Sequence, residues 1–366
     1  MRAVGFDVNG GPEVLRPVEV PVPVPGPGEV LIRVAYAGVN HGEVRHRLGD
    51  FGAPDGIAVP GFEVSGEIAE VGPDVAGAAL GDPVAAYLPD GGGYAEYAVA
   101  PAVFAFPLDG VSLRDGGGAG LGLTTAYGLL TGAARLAAGD SVLIHAAAGG
   151  VGSAAAQMAR ALGAARVHGT VGSAAKTDYA KRFGYDAVHL REDFAAAFAG
   201  TAAGTYGEVS AGSAGRYGEA SAGSAAGAFA RAYAGLDAGL DDGGAGFDVV
   251  LDPVGGPARL AGLAALAPFG RLVVYGEAAR RPDLSVPVRG LRENNRSVAG
   301  YDIRDLARRA PGTVRSHALA ALSLLTSGAI RVDVTSELPL AEAARAHEVL
   351  QAGANVGKTL LAVRPA

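Results

Sequence analysis

The sequence predicts an α/β protein in two parts: a mostly β domain and a doubly wound parallel sheet covered by helices. Three observations predict it. Over the first 110 or so residues, runs rich in β-branched residues are bounded by Gly, Pro or Asp, the pattern of short strands and turns. From about Gly118 the texture changes to short apolar runs alternating with helical segments, which is how a parallel sheet with crossover helices reads. Between two such elements, "HAAAGGVGSAAAQ", from His145 to Gln157, passes from an apolar run through glycines into alanines.

The elements follow in order. "VPVPVPGPGE" is a proline-rich loop that cannot continue a helix, and "GEVLIRVAYAGVN" after it is a strand. "FEVSGEIAEVG", "DPVAAYL" and "YAEYAVA" are further strands. "LGLTTAYGLLTGAARLA" is helical, "SVLIHAA" a strand and "VGSAAAQMARALGA" a helix. "ARVHGTV", "KTDYAKRFG", "DAVHL", "FDVVLDPVGG" and "GRLVVYG" continue the alternation. The tail offers helices at "VRSHALAALSLLTSG" and "LAEAARAHEVLQAG" and a closing strand, "GKTLLAV", expected to pack back on the first domain. The expected domains are therefore 1–117 with 285–366, and 118–284. A low-complexity stretch at 199–246 interrupts the second, where "YGEVSAGSAG" from Tyr206 recurs as "YGEASAGSAA" from Tyr217. It reads as an expanded surface loop, since loop-closure cost grows slowly with length, with a lid or binding role as the alternative.

With 366 residues, 49% of them hydrophobic, the chain can bury a core in each part. The net charge of -7 argues against nucleic acid as main partner, and Arg45-His-Arg47 reads as a solvated run. Without cysteine there is no disulfide, no thiolate nucleophile and no Cys-containing zinc site, which a cytoplasmic protein tolerates. No uninterrupted apolar run reaches the roughly 20 residues a bilayer span needs, and the start lacks the layout of a secretion signal. A soluble, cytoplasmic protein is expected.

Gly150-Val151-Gly152-Ser153-Ala154-Ala155 fits G-x-G-x-x-A between a strand and a helix. The first glycine makes the tight turn, the second admits a pyrophosphate, and the helix offers its N–H groups and positive dipole end. Twenty residues beyond Gly152, where an NAD enzyme places an acid on the ribose hydroxyls, stands Gly172. Ser173 and Lys176 close by suit a 2′-phosphate instead, so the expected cofactor is NADPH. The plain alternative for Lys176 is an exposed helix lysine.

These motifs, with "GFEVSGEIAEVGPDV", "GDPVAAYL", "GGYAEYAV", "FDVVLDPVGG" and the closing "GKTLLAV", cover nearly the whole chain. In order and spacing they resemble the zinc-independent quinone oxidoreductase (zeta-crystallin-like) branch of the medium-chain dehydrogenase/reductases. The resemblance implies a GroES-like catalytic domain interrupted by a Rossmann domain, NADPH between them, and a homodimer. It places Asn40 and Thr125 near the nicotinamide, Ala148, Gly149, Gly150, Val151 and Gly152 on the pyrophosphate, and Ser173 and Lys176 on the 2′-phosphate. Asp252, Tyr275 and Gly276 fall at the rim of the cofactor site, and Asn355 and Lys358 return near it. Asn40 as a turn residue and Asp252 as a helix cap are the alternatives.

Where zinc-bearing relatives carry Gly-His-Glu, this chain reads Gly61-Phe62-Glu63, and no metal is expected. Where quinone reductases often carry tyrosines, in the loop after "GVN", it has Arg45 and Phe51, and Leu190 replaces an adenosine-side tyrosine with Arg191 beside it. Without a metal, the protein can only place the acceptor and stabilise its oxyanion, so hydrogen-bond donors are sought: Asn40, Arg45, His46 and Tyr87. An inward Arg45 would favour an anionic acceptor; a solvent-facing one would not select. The expected activity is reduction of a quinone or an activated carbon–carbon double bond. An enoyl-thioester or biosynthetic tailoring reductase and a nucleotide-binding protein with little turnover stay open beside it.

Overall fold

The computed structural model describes residues 1–206, 246–282 and 284–364. Most of the low-complexity stretch, 207–245, lies outside the described residues. The chain forms two compact units, Met1–Gly128 with Gly149–Ala154 and Ile303–Ala366, and Leu129–Ala148 with Ala155–Asp302.

In the first unit, β1 (Arg2–Gly5) and β2 (Arg16–Glu19) form an antiparallel pair. The long strand β3 (Glu29–Val39) carries buried Val30, Ile32, Val34, Ala37 and Val39 and runs into α1 (His41–Arg47). Then come β4 (Glu63–Val71), β5 (Pro83–Tyr87), β6 (Tyr97–Pro101) and β7 (Ala105–Pro107). Helices α2 (Leu113–Gly116) and α3 (Thr124–Gly128) close this stretch. α1 occupies what the sequence reads as a loop: "HGEVRHR" has no apolar periodicity, and the helix rests on its cap, where the Glu43 carboxylate accepts the Asn40 backbone N–H at 2.9 Å.

The second unit is built on β8 (Ser141–His145), entirely buried, followed by α4 (Gly150–Ala161). β9 (Arg166–Val171), α5 (Thr177–Lys181), β10 (Ala187–Leu190) and α6 (Arg191–Tyr206) come next. After the undescribed stretch follow β11 (Phe247–Asp252), α7 (Gly256–Ala264), β12 (Leu266–Val274), α8 (Val288–Glu293) and β13 (Ser297–Gly300). The sheet order is β10-β9-β8-β11-β12-β13, all parallel. This doubly wound order reverses between β8 and β11, and such a reversal opens a crevice at the carboxyl ends of those strands. Leu143, Phe194, Phe198, Phe247, Val250 and Leu272 pack its core.

The chain then returns to the first unit through α9 (Ile303–Arg309), α10 (Pro311–Thr326), β14 (Val334–Pro339), α11 (Ala343–Gln351) and β15 (Lys358–Ala362). The tail thus completes the first sheet, ordered β14-β15-β3-β4-β5-β7 with β6 also on β3. Among the described residues no helix is long and apolar enough to cross a membrane.

Candidate active site

Three strand ends meet at one corner of the first sheet. β15 runs antiparallel to β3 with Thr359 opposite Val39, which brings Lys358 beside Asn40. β4 pairs β3 with Val64 opposite Ala37, which brings Glu63 beside Gly38. A Cβ at Gly38 would collide with the Glu63 carboxylate, so only glycine lets that side chain lie across the strand.

The side chains form one buried polar cluster. The Lys358 ammonium donates to Asn40 Oδ1 at 2.7 Å, to the Val39 carbonyl at 3.3 Å and to Glu63 Oε1. Asn40 Nδ2 donates to Glu63 Oε1 at 3.0 Å and leans on Glu43 Oε1 at 3.4 Å. The amide orientation is therefore fixed by chemistry: an ammonium only donates and a carboxylate only accepts. Glu63 Oε2 accepts the backbone N–H groups of Leu121 at 2.8 Å and Gly122 at 3.2 Å, just before α3. Glu43 Oε1 accepts the Phe62 N–H at 2.8 Å.

Glu43 and Glu63 are fully buried, and one ammonium faces the two carboxylates. Burial, with a smaller push from the Glu63 charge, raises the Glu43 carboxyl to about 7 against the opposing pull of the Phe62 N–H and Lys358. Beside the cluster, buried Tyr94 meets His347 Nε2 at 3.1 Å, and Arg47 Nε donates to His347 Nδ1 at 3.4 Å. Since Nδ1 accepts, Nε2 carries the ring proton and donates to the Tyr94 oxygen. Burial and the Arg47 charge push that imidazole down to about 3.

The glycine turn reaches the same corner. Gly149 forms a bridge with Gly357, and the Lys358 side chain passes 3.5 Å from where a Cβ of Gly150 would stand. Val151 and Gly152 lie in the first turn of the 12-residue helix α4. Ala148 is buried just before it. Ala146, between β8 and the glycines, takes a positive φ of 57°, a conformation that costs a non-glycine residue about 1 kcal/mol or more.

In the second unit, Gly172 and Ser173 follow β9, with Lys176 on the turn leading to α5. Arg191, at the start of α6, reaches over Gly172, its Nη2 2.8 Å from where a Cβ would sit. Burial lowers the Lys176 ammonium, and the Arg191 charge lowers it further. The two cations thus lie within electrostatic reach of each other. At the end of β11, Asp252 accepts the N–H groups of Val254 at 2.7 Å and Gly255 at 3.1 Å and pairs with Arg259 Nε at 2.6 Å. Arg259 also donates to the Gly276 carbonyl at 2.8 Å and to Glu277 at 2.5 Å. Asp252 therefore braces a turn and α7 at the carboxyl end of β11, and Tyr275 bonds back to its carbonyl through its N–H at 3.0 Å.

The other residues singled out in the sequence have surroundings of their own. Arg45 is ion-paired to Asp50 at 2.9 Å, half exposed, with its guanidinium 5.6 Å from the Phe51 ring centroid. His46 packs among Phe6, Phe51 and Phe62. Tyr87 is buried opposite Glu63 in the β4–β5 register, its ring edge-on to Phe104. Thr125 is buried on α3, and Asn355 lies half-buried in the loop before β15. Sequence reasoning missed Glu43 and Glu63 as members of the site. Their signal was present: Glu63 opens a strand whose next three residues are buried, and Glu43 lies three residues after an Asn cap.

The residues at this corner do not make a zinc site. Phe62 stands in the histidine position, the chain has no cysteine, and Glu63 is taken up by an ammonium. Among the described residues no group of three His, Cys, Asp or Glu is placed to hold a metal. The second unit does fit a dinucleotide: the sheet reverses beside Ala148 and Asp252, and Lys176 and Arg191 follow β9 and β10.

Comparison with known families matches residues 26–110 to the alcohol dehydrogenase GroES-like domain and residues 150–319 to the zinc-binding dehydrogenase domain. The mouse quinone oxidoreductase is 41% identical over 176 residues, 47% of this chain and 53% of that protein, so the match spans about half of that relative's length. A mycocerosic acid synthase-like polyketide synthase of Mycobacterium tuberculosis is 29% identical over 92% of this chain and 14% of its own length. A mycobacterial protein whose structure is solved with NADPH superimposes with a TM-score of 0.80, 31% identical over 99% of both chains. The chain belongs to the medium-chain dehydrogenase/reductase superfamily, as a quinone oxidoreductase-like member with a GroES-like domain and a Rossmann domain.

Proposed function

We propose that this protein is an NADPH-dependent reductase that delivers hydride to a quinone or an α,β-unsaturated carbonyl compound without zinc. One observation carries the reading: Lys176 and Arg191 converge beside Gly172 and Ser173, where an acid would select NAD. That pair suits a 2′-phosphate, and the solved mycobacterial relative holds NADPH. Likeness to the mouse quinone oxidoreductase supports the acceptor class.

Bound NADPH supplies the hydride. The chain's own residues bind and orient. Ala148 to Gly152 and the start of α4 receive the pyrophosphate, while Ser173, Lys176 and Arg191 receive the 2′-phosphate. Asp252 and Arg259 hold the turn that presents Tyr275 and Gly276. Asn40, with its amide fixed by Lys358 and Glu63, lines the place of reaction. A quinone or enone suits such a site, because delocalisation in the acceptor carries much of the charge that arrives.

The match to a polyketide synthase over most of the chain favours a second reading, reduction of an enoyl thioester. NADPH oxidation measured against quinones, simple enones and enoyl thioesters separates the two, and light scattering checks the homodimer that the resemblance implies. Tight NADPH binding with no turnover on any of these would replace both by a nucleotide-binding role.

A further inference from the structure

We propose that Arg304, at the start of α9, and the ring of Phe51 form a specificity-determining subsite for an anionic quinone, the ring holding the planar body of the acceptor and the guanidinium its sulfonate, carboxylate or phosphate. The inference deepens the reductase reading above and rests on it: it names a substrate class for that reaction and the residue that selects it. Every residue it uses belongs to the first unit.

Three features meet here. The first is a row of rings that begins in solvent. Phe51, in the loop after α1, is 38% exposed, and its centroid lies 5.9 Å from that of His46 and 6.2 Å from that of buried Phe62. The row ends at the polar corner. The Phe62 ring lies 3.1 Å from where a Cβ of Gly42 would stand, its backbone N–H is held by Glu43, and Glu63 follows it in the chain. An aromatic acceptor laid on Phe51 therefore rests at the outer end of a wall that leads to the side chains fixing Asn40. The second feature is the cation on that outer ring. The Arg304 guanidinium carbon is 4.7 Å from the Phe51 centroid, nearer than that of Arg45 at 5.6 Å. Burial lowers the His46 imidazole and the Arg304 charge lowers it further, so His46 adds no positive charge of its own near pH 7. A guanidinium lying over a ring uses no N–H on that contact, and its planar fork matches an oxyanion. The third feature is the contrast between the two arginines. Arg45 is ion-paired to Asp50 five residues further on, with its side chain 42% exposed, whereas the Nε of Arg304 is shielded from solvent. Solvent screens an anion's attraction to Arg45 more than its attraction to Arg304, so the selecting cation is the one on α9.

The test uses the full chain with NADPH. 1,4-Naphthoquinone-2-sulfonate and 2-methyl-1,4-naphthoquinone share a ring system and differ in charge, and following the ratio of their kcat/KM values from protein to protein cancels the difference in their reduction potentials. Arg304→Gln should lower the sulfonate-to-neutral ratio by roughly 10- to 30-fold, mostly through KM of the sulfonate. Arg45→Gln should lower it by no more than about 3-fold. Phe51→Leu should weaken both quinones by a similar factor, roughly 3- to 10-fold, because it removes the ring face and keeps the cation. A second measurement needs no turnover: calorimetric titration of naphthalene-2-sulfonate and naphthalene-2-sulfonamide into protein saturated with NADP+ should show the sulfonate preferred, and the preference lost in Arg304→Gln. An Arg304→Gln protein that loses both quinones equally, as it would if the arginine only clamped α9 to the loop, overturns the proposal. So does a selectivity that follows Arg45 instead, or a naphthalene pair bound alike by the unmodified protein. Bound NADPH with no turnover on either quinone would overturn the reductase reading itself, and the naphthalene titrations tell that failure from a failure of the subsite.

Discussion

The two cations at the end of β9 make a quantitative prediction about cofactor choice. Arg191 lies directly over Gly172, and its charge already lowers the Lys176 ammonium, so placing an anion between them relieves a repulsion as well as adding new bonds. A charge-assisted hydrogen bond contributes about 1.5 to 3 kcal/mol when well shielded. Lys176 is only half-buried, and solvent screening reduces its share to about 1 to 1.4 kcal/mol. The sum predicts that NADPH binds more tightly than NADH by about 2 to 3 kcal/mol, roughly 30- to 150-fold at low salt. Lys176→Ala should remove about 5- to 10-fold of that preference, Arg191→Ala a similar factor, and the double variant nearly all of it. Calorimetric titration of both cofactors against all four proteins, at two salt concentrations, measures each factor, and the preference should shrink as salt screens the cations. Equal affinity for the two cofactors, or variants that weaken NADH as much as NADPH, would show that these residues do not read the 2′-phosphate.

Three further outcomes follow from the buried charges. His168 and His347 are both held down to about 3, chiefly by burial, so each stays neutral in the folded protein while protonating at the ordinary value when unfolded; stability should therefore be intact above about pH 6.5 and fall by a few kcal/mol as pH drops from there towards 3, visible as a declining midpoint in urea. Arg259→Met should cost about 3 to 5 kcal/mol, because it leaves Asp252 buried with an uncompensated charge, whereas Asp252→Asn with Arg259→Met together should cost less than the two changes added. Prolonged chelation should leave turnover unchanged; a metal content of one per chain that tracks activity would contradict the proposed mechanism.

The parts of the fold legible in the sequence were those with a local physical signature. The central strands β8 and β11 are short continuous apolar runs because parallel strands are buried on both faces, and the glycine turn announced itself through the strand before it and the alanine helix after it. α1 was not legible, since a seven-residue helix stabilised by its cap and its neighbours leaves no periodic pattern. The polar corner was half legible for a related reason. Asn40 and Lys358 could be named from motifs, but 318 residues separate them, and only the β3–β15 register shows that the amide of one is held by the ammonium of the other. That pairing changes what Asn40 can do. Its carbonyl oxygen faces Lys358 and its amide hydrogens face Glu63 and Glu43, so it has no donor left over for a substrate unless one of those bonds opens. Of those two bonds the one to Glu43 is longer, and it weakens when Glu43 takes up a proton. The state of a buried carboxyl absent from the motifs therefore governs the donor that the motifs did find.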